Sequence, residues 1–195
     1  MIHFYSANTK DLKWYKKIIN LSWWIKVFTH YQYPALPFEQ TFTHVSIGED
    51  ITRSGRRLIF ESYIVQMLNP YDYPRITAHF VNNHIQINDA EIFWDIVDKK
   101  RGKPYAFLQL LDFIRLWFYN KVFKKDPKNV WFPASDVCSE IGYAAAIAYV
   151  GKYNLSFLQS ELLKHNSNLY APMRLYDILM QAANRGEVIF ERNQR

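Results

Sequence analysis

Apolar positions along the chain follow two periods, and the switches between them mark out the elements. Residues Ile2–Tyr5 read as a short strand. A helix follows, with Asn8 or Thr9 as cap and Leu12, Tyr15, Ile18 and Ile19 on one face. The stretch 23–28 is rich in aromatics without a clear period, and 31–40, with Pro34 and Pro37, reads as loop. Residues 43–48 and 57–64 are apolar-leaning strands on either side of a polar stretch, 49–55, that closes on a glycine. Together they predict an antiparallel hairpin. Further strands are expected at 75–81 and 84–87, with Asn82-Asn83 as the turn between them.

The period then lengthens. Asn88 and Glu91 have capping-box spacing and predict a helix to about Lys100, stopped at Gly102. Phe107, Leu110, Leu111, Ile114, Trp117 and Phe118 share one helical face, opening near Tyr105 after Pro104. A basic loop leads to Trp131-Phe132-Pro133. Ser135 or Asp136 then caps a helix through about Val150 whose alanines and glycines predict close packing on a neighbour. Pro172 precedes a last helix over 173–184, ending before Gly186, and 188–190 is a terminal strand. Strands in the middle with helices before and after predict an α+β fold.

Composition narrows the picture. The chain has 195 residues, 49% of them hydrophobic, which suits one domain with a single core. Aromatics reach 17%, read either as a core of large rings or as rings lining a groove for a lipid or peptide chain. The formal charge is +6, with basic runs at 99–103 and 121–128. Such runs serve helix ends and solubility, or an anionic surface contact. No nucleic-acid-binding signature accompanies them, so no obligate nucleic-acid partner is expected. A single cysteine excludes an intramolecular disulfide and fits a reducing compartment. No secretory leader is recognisable, and no uninterrupted apolar run reaches the roughly 18–20 residues of a membrane span. The protein is therefore expected to be soluble and cytoplasmic. His79, His84 and Cys138 lack metal-ligand spacing, and there is no glycine-rich phosphate loop. Neither a metal nor another cofactor is expected.

The chemistry centres on three residues. Cys138, the only cysteine, falls in the first turn of a predicted helix, where free N–H groups and the dipole stabilise an anion. The thiolate is the reactive form of cysteine, although a lone cysteine also serves as a small buried hydrophobe. His44 lies on the first hairpin strand. His44 and Glu61 are equidistant from the middle of the polar stretch, between Thr52 and Arg53. A symmetric hairpin therefore sets them opposite or nearly opposite, within side-chain reach. A carboxylate holding one imidazole nitrogen while the other faces a thiol is the arrangement of nucleophilic catalysis.

The order of these motifs carries a resemblance. Thr43-His44-Val45-Ser46-Ile47-Gly48 is followed by Ile59-Phe60-Glu61-Ser62, then Gly102-Lys103-Pro104-Tyr105, then Val137-Cys138-Ser139-Glu140-Ile141, with Pro172 and Leu175 near the end. From 44 to 177 this resembles the permuted NlpC-like papain-fold amidases, relatives of the lecithin:retinol acyltransferase group, in which the His and acidic strands precede the Cys helix. Ala106 departs from the acidic residue the family often has there, and 21–40 is longer and more aromatic than the family pattern. The resemblance implies a circularly permuted papain-like fold, a small antiparallel sheet packed against helices that include the nucleophile helix. It would form one domain over 1–195, with 1–40 a variable segment. It implies Cys138 as nucleophile, His44 as base and then acid, Glu61 as orienter of His44, and Tyr105 and Ser139 as supporting or substrate-contacting residues. The expected activity is a cysteine hydrolase or acyl transfer on a peptide, lipid or other acyl-bearing substrate. The alternative is an inactive papain-like shell that binds a partner through the aromatic stretch 23–33 and the basic run 121–128.

Overall fold

The computed structural model describes residues 1–5, 42, 44–50, 57–61, 64–67, 76–102, 115, 118–119, 122–123, 138–164 and 172–192. Among the described residues, seven strands form one open antiparallel sheet: β1 (Ile2–Tyr5), β2 (His44–Asp50), β3 (Arg57–Glu61), β4 (Ile64–Met67), β5 (Ile76–Asn82), β6 (Ile85–Gln86) and β7 (Val188–Arg192). The order runs β4-β3-β2-β1-β5, and both β6 and β7 pair with β5. The helices α1 (Ala90–Lys100), α2 (Cys138–Tyr153), α3 (Ser156–Leu162) and α4 (Pro172–Ala183) complete an α+β architecture. Among the described residues, no helix is long and apolar enough to cross a membrane.

Alternation along the strands gives the sheet two unlike faces. One carries Ile2, Phe4, Val45, Ile47, Phe60, Ala78 and Phe80, which join the helices' apolar faces in the core. Phe80 stacks on Tyr149 of α2 with ring centroids 4.2 Å apart. The other carries His3, Ser46, Thr77 and His79, polar yet buried. His3 Nδ1 is 2.9 Å from Thr77 Oγ1. His79 lies between Gln86 Nε2, 2.8 Å from its Nδ1, and Glu191 Oε2, 3.1 Å from its Nε2.

Several elements differ from expectation, each for a local reason. The strand expected over 57–64 is two: β3 ends at Glu61, and Ile64 opens β4, which folds back so that Glu61 pairs with Ile64. The polar Glu49 and Asp50 belong to β2, because Leu58 and Arg57 opposite them continue the ladder. In the β5–β6 hairpin the positive φ angles fall on Asn83 (50°) and His84 (64°), so His84 is a turn residue rather than a strand residue. The cap of α1 is Asp89, not Asn88: its Oδ1 accepts from the N–H groups of Glu91 (3.1 Å) and Ile92 (3.3 Å). Its Oδ2 accepts from Tyr153 (2.6 Å) and Lys152 (2.8 Å) of α2. One carboxylate therefore starts α1 and ties it to α2. Gly102, at φ 77°, lies just past the end of α1 as expected.

Helix α3 has no counterpart among the predicted elements. Its caps come from far along the chain: Glu187 accepts from the N–H groups of Phe157 (2.9 Å) and Leu158 (2.8 Å). Helix α2 runs three residues beyond the expected Val150, and α4 opens on Pro172, a favoured first helical position. The expected helix over 8–19, the aromatic stretch 23–28, the caps Ser135 and Asp136, and Tyr105 lie outside the described residues.

Candidate active site

Three side chains from two parts of the fold meet at one end of the sheet. His44 is the first residue of β2, Glu61 the last of β3, and Cys138 the first of α2. The β2–β3 ladder pairs Ile47 with Phe60 and Asp50 with Arg57. Continued by one step, it sets Glu61 level with Ser46, so His44 is two residues beyond the symmetric position. A shift of two keeps both side chains on the same face, and the imidazole reaches diagonally to the carboxylate. His44 Nε2 is 2.8 Å from Glu61 Oε2.

With Nε2 engaged by Glu61, Nδ1 is the ring nitrogen left to meet the Cys138 side chain, to which His44 is also hydrogen-bonded. Helix α2 delivers the thiol because of Gly142, one turn further on. A β-carbon at 142 would stand 2.7 Å from Val45 Cγ1 and 2.8 Å from Leu175 Cδ2. Only a hydrogen at this position lets α2 lie flat against Val45, the chain neighbour of His44. The small residues of this helix thus provide the close packing the sequence predicts.

Electrostatics favour a charged imidazole. Burial acts against the cation most strongly, but the Cys138 and Glu61 charges and hydrogen bonds outweigh it and raise the His44 pKa from 6.5 to about 9. His44 keeps 15% of its side chain exposed and Glu61 24%. Cys138 is 3% exposed. Ser139 is buried beside it, and its Oγ has no hydrogen-bond partner among the described residues.

One contact to His44, and the residue that holds it in place, were not legible from the sequence. Tyr5, at the end of β1, pairs with His44, and their ring centroids are 5.5 Å apart. The Tyr5 hydroxyl is 3.0 Å from Ser46 Oγ. Residues Ile2–Tyr5 read as a strand, but nothing local announces that the partner is some 40 positions away. Signals were present at Ser46, polar and inside an apolar strand, and at Tyr5, an amphipathic ring at a strand end. His79 and His84 do not join Cys138: His79 is held by Gln86 and Glu191, and His84 is exposed in its turn. Among the described residues, no group of three His, Cys, Asp or Glu side chains is arranged to hold a metal ion.

The arrangement can hold a thiolate–imidazolium pair at a helix start, with the imidazole anchored by a carboxylate. No family model, no curated protein and no solved structure matches the chain, so this geometry stands as the ground for a functional reading.

Proposed function

We propose that the protein is a cysteine hydrolase or acyl-transfer enzyme of the papain-like, permuted NlpC-like kind. The observation that carries this reading is the position of His44, hydrogen-bonded to Glu61 on one side and to Cys138 at the start of α2 on the other. A structural cysteine has no need of an imidazole in turn fixed by a carboxylate.

In the proposed reaction the Cys138 thiolate attacks an amide, ester or thioester carbonyl, forming a C–S bond. The carbonyl oxygen takes the negative charge as the tetrahedral intermediate forms. Backbone N–H groups in the first turn of α2 point out of the helix start, where they can stabilise that oxyanion. Protonated His44 gives its Nδ1 proton to the leaving amine, alcohol or thiol as the bond to carbon breaks, leaving an acyl-enzyme. Neutral His44 then takes a proton from water or an acceptor, which attacks the thioester and returns the thiol. Glu61 fixes the ring through Nε2 and stabilises its charged form. A binding module without activity is the second reading, favoured by the 3% exposure of Cys138.

Alkylation of Cys138 by iodoacetamide from pH 4 to 9, in the parent and in His44→Ala, separates the two. The enzyme reading expects reactivity to persist well below the free-thiol pKa of about 8.5 and to be lost with His44. An ordinary thiol profile indifferent to His44 would overturn it.

A further inference from the structure

Among the described residues, α1 and α4 turn their apolar faces inward, but one apolar stripe is turned outward. Arg115, Phe118, Tyr119, Val122 and Phe123 are helical and stand at i, i+3, i+4, i+7 and i+8, a single stripe on a helix. Contacts four residues apart support that placement: the Arg115 guanidinium lies 5.6 Å from the centre of the Tyr119 ring, and the Tyr119 and Phe123 rings are 5.1 Å apart. The stripe faces solvent. Phe118, Val122 and Phe123 are each about half exposed, at 52%, 52% and 51%. By contrast, α1 buries Ile92, Phe93, Ile96 and Val97.

The sequence around the stripe is cationic. Between 115 and 128 there are five basic residues, Arg115, Lys121, Lys124, Lys125 and Lys128, against one acidic residue, Asp126. A half-exposed row of rings and a valine, with lysines close by in the sequence, is the composition of a helix that lies in a lipid–water interface. Apolar side chains there enter the acyl boundary while cations meet phosphates.

We propose that the 115–123 stripe docks the protein on an anionic lipid bilayer. Charge selects this occupant. A second copy packed on the same stripe about a two-fold axis would bring two lysine-rich runs together, whereas an anionic bilayer neutralises them. The inference does not rest on the chemistry at Cys138.

The test is co-sedimentation of the full chain with vesicles of phosphatidylcholine alone and with about 30% phosphatidylglycerol, at low and high salt. Partitioning is expected to be about tenfold stronger onto the anionic vesicles and to weaken with salt. It should fall about tenfold in Phe118→Ser/Phe123→Ser, and the anionic preference should shrink in Lys124→Glu/Lys125→Glu. Both variants change exposed or charged positions, and an unaltered Cys138 alkylation rate verifies that they fold. Absence of binding to either vesicle, or anionic binding that the Phe118→Ser/Phe123→Ser protein retains, overturns the proposal. So does a concentration-dependent dimer that this variant abolishes, which would assign the stripe to self-association.

Discussion

Tyr5 gives His44 a neighbour that neither Glu61 nor Cys138 supplies. An aromatic ring within about 6 Å of a cation stabilises it by about 0.5–1 kcal/mol at partly exposed sites. The 5.5 Å separation from His44 falls in that range, and the hydroxyl bond to Ser46 fixes the ring in place. Tyr5→Leu is therefore expected to lower the His44 pKa and slow iodoacetamide alkylation of Cys138 near pH 7 by about two- to fivefold. Tyr5→Phe keeps the ring and should recover most of the loss. Equal rates in the parent and in Tyr5→Leu would show that the ring is only packing. At this scale much of the site was legible. Cys138, His44 and Glu61 announce themselves as candidates by residue type, and the midpoint of the hairpin puts two of them on one face, two residues away from the observed register. Tyr5 does not, because strand pairing across some 40 residues leaves no local mark.

Among the elements, α2 is placed by the glycine in its second turn. Gly142→Ala puts a methyl group less than 3.0 Å from both Val45 and Leu175, so the helix must lift from the sheet. Overpacking of this kind costs about 1–3 kcal/mol. Because the same contact brings Cys138 to His44, the expected result is a lower melting temperature together with a Cys138 alkylation profile shifted toward that of a free thiol. A destabilised protein with an unchanged profile would mean that the thiol–imidazole contact is held by something other than this helix approach. Elements defined by their own residues were readable: β1 by its apolar residues, α1 by its stop at Gly102 and α4 by its proline. Helix α3 was not, since its capping carboxylate, Glu187, is some 30 residues downstream. The split of 57–64 into β3 and β4 was hidden as well, because an apolar run shows where strand propensity lies but not where the chain reverses.

Across the whole molecule, buried titratable groups act on stability with opposite signs. The raised pKa of His44 means that its contribution is fully present below about pH 6.5 and is lost as pH rises through about 9. Burial lowers the pKa values of His3 and His79, so their contributions are present above pH 6.5 and lost as pH falls. Burial raises Asp177 from 3.8 to about 7, partly opposed by Arg174, so it favours the folded state at low pH and that benefit is lost through pH 7. Single substitutions separate these curves in thermal melts. Asp177→Asn should raise the melting temperature above pH 7 by about 2–4 °C and leave it unchanged near pH 4. The penalty of His44→Gln should be largest below pH 6.5 and shrink through pH 9. A pH-independent effect of either substitution would show that packing, not charge, governs its position.

The place of β1 at the centre of the sheet, between β2 and β5, also sets a schedule for making the protein. Of the described strands, β1 leaves the ribosome first, yet both of its edges are completed by strands translated later. At about 5–20 residues per second, its second edge waits roughly 4–16 s for β5 to be synthesised. During that interval an apolar strand with open hydrogen-bonding groups is exposed to other chains. Slow translation should therefore favour capture by chaperones over native pairing, and the yield of folded protein should respond to chaperone supply more than to any substitution on the finished surface.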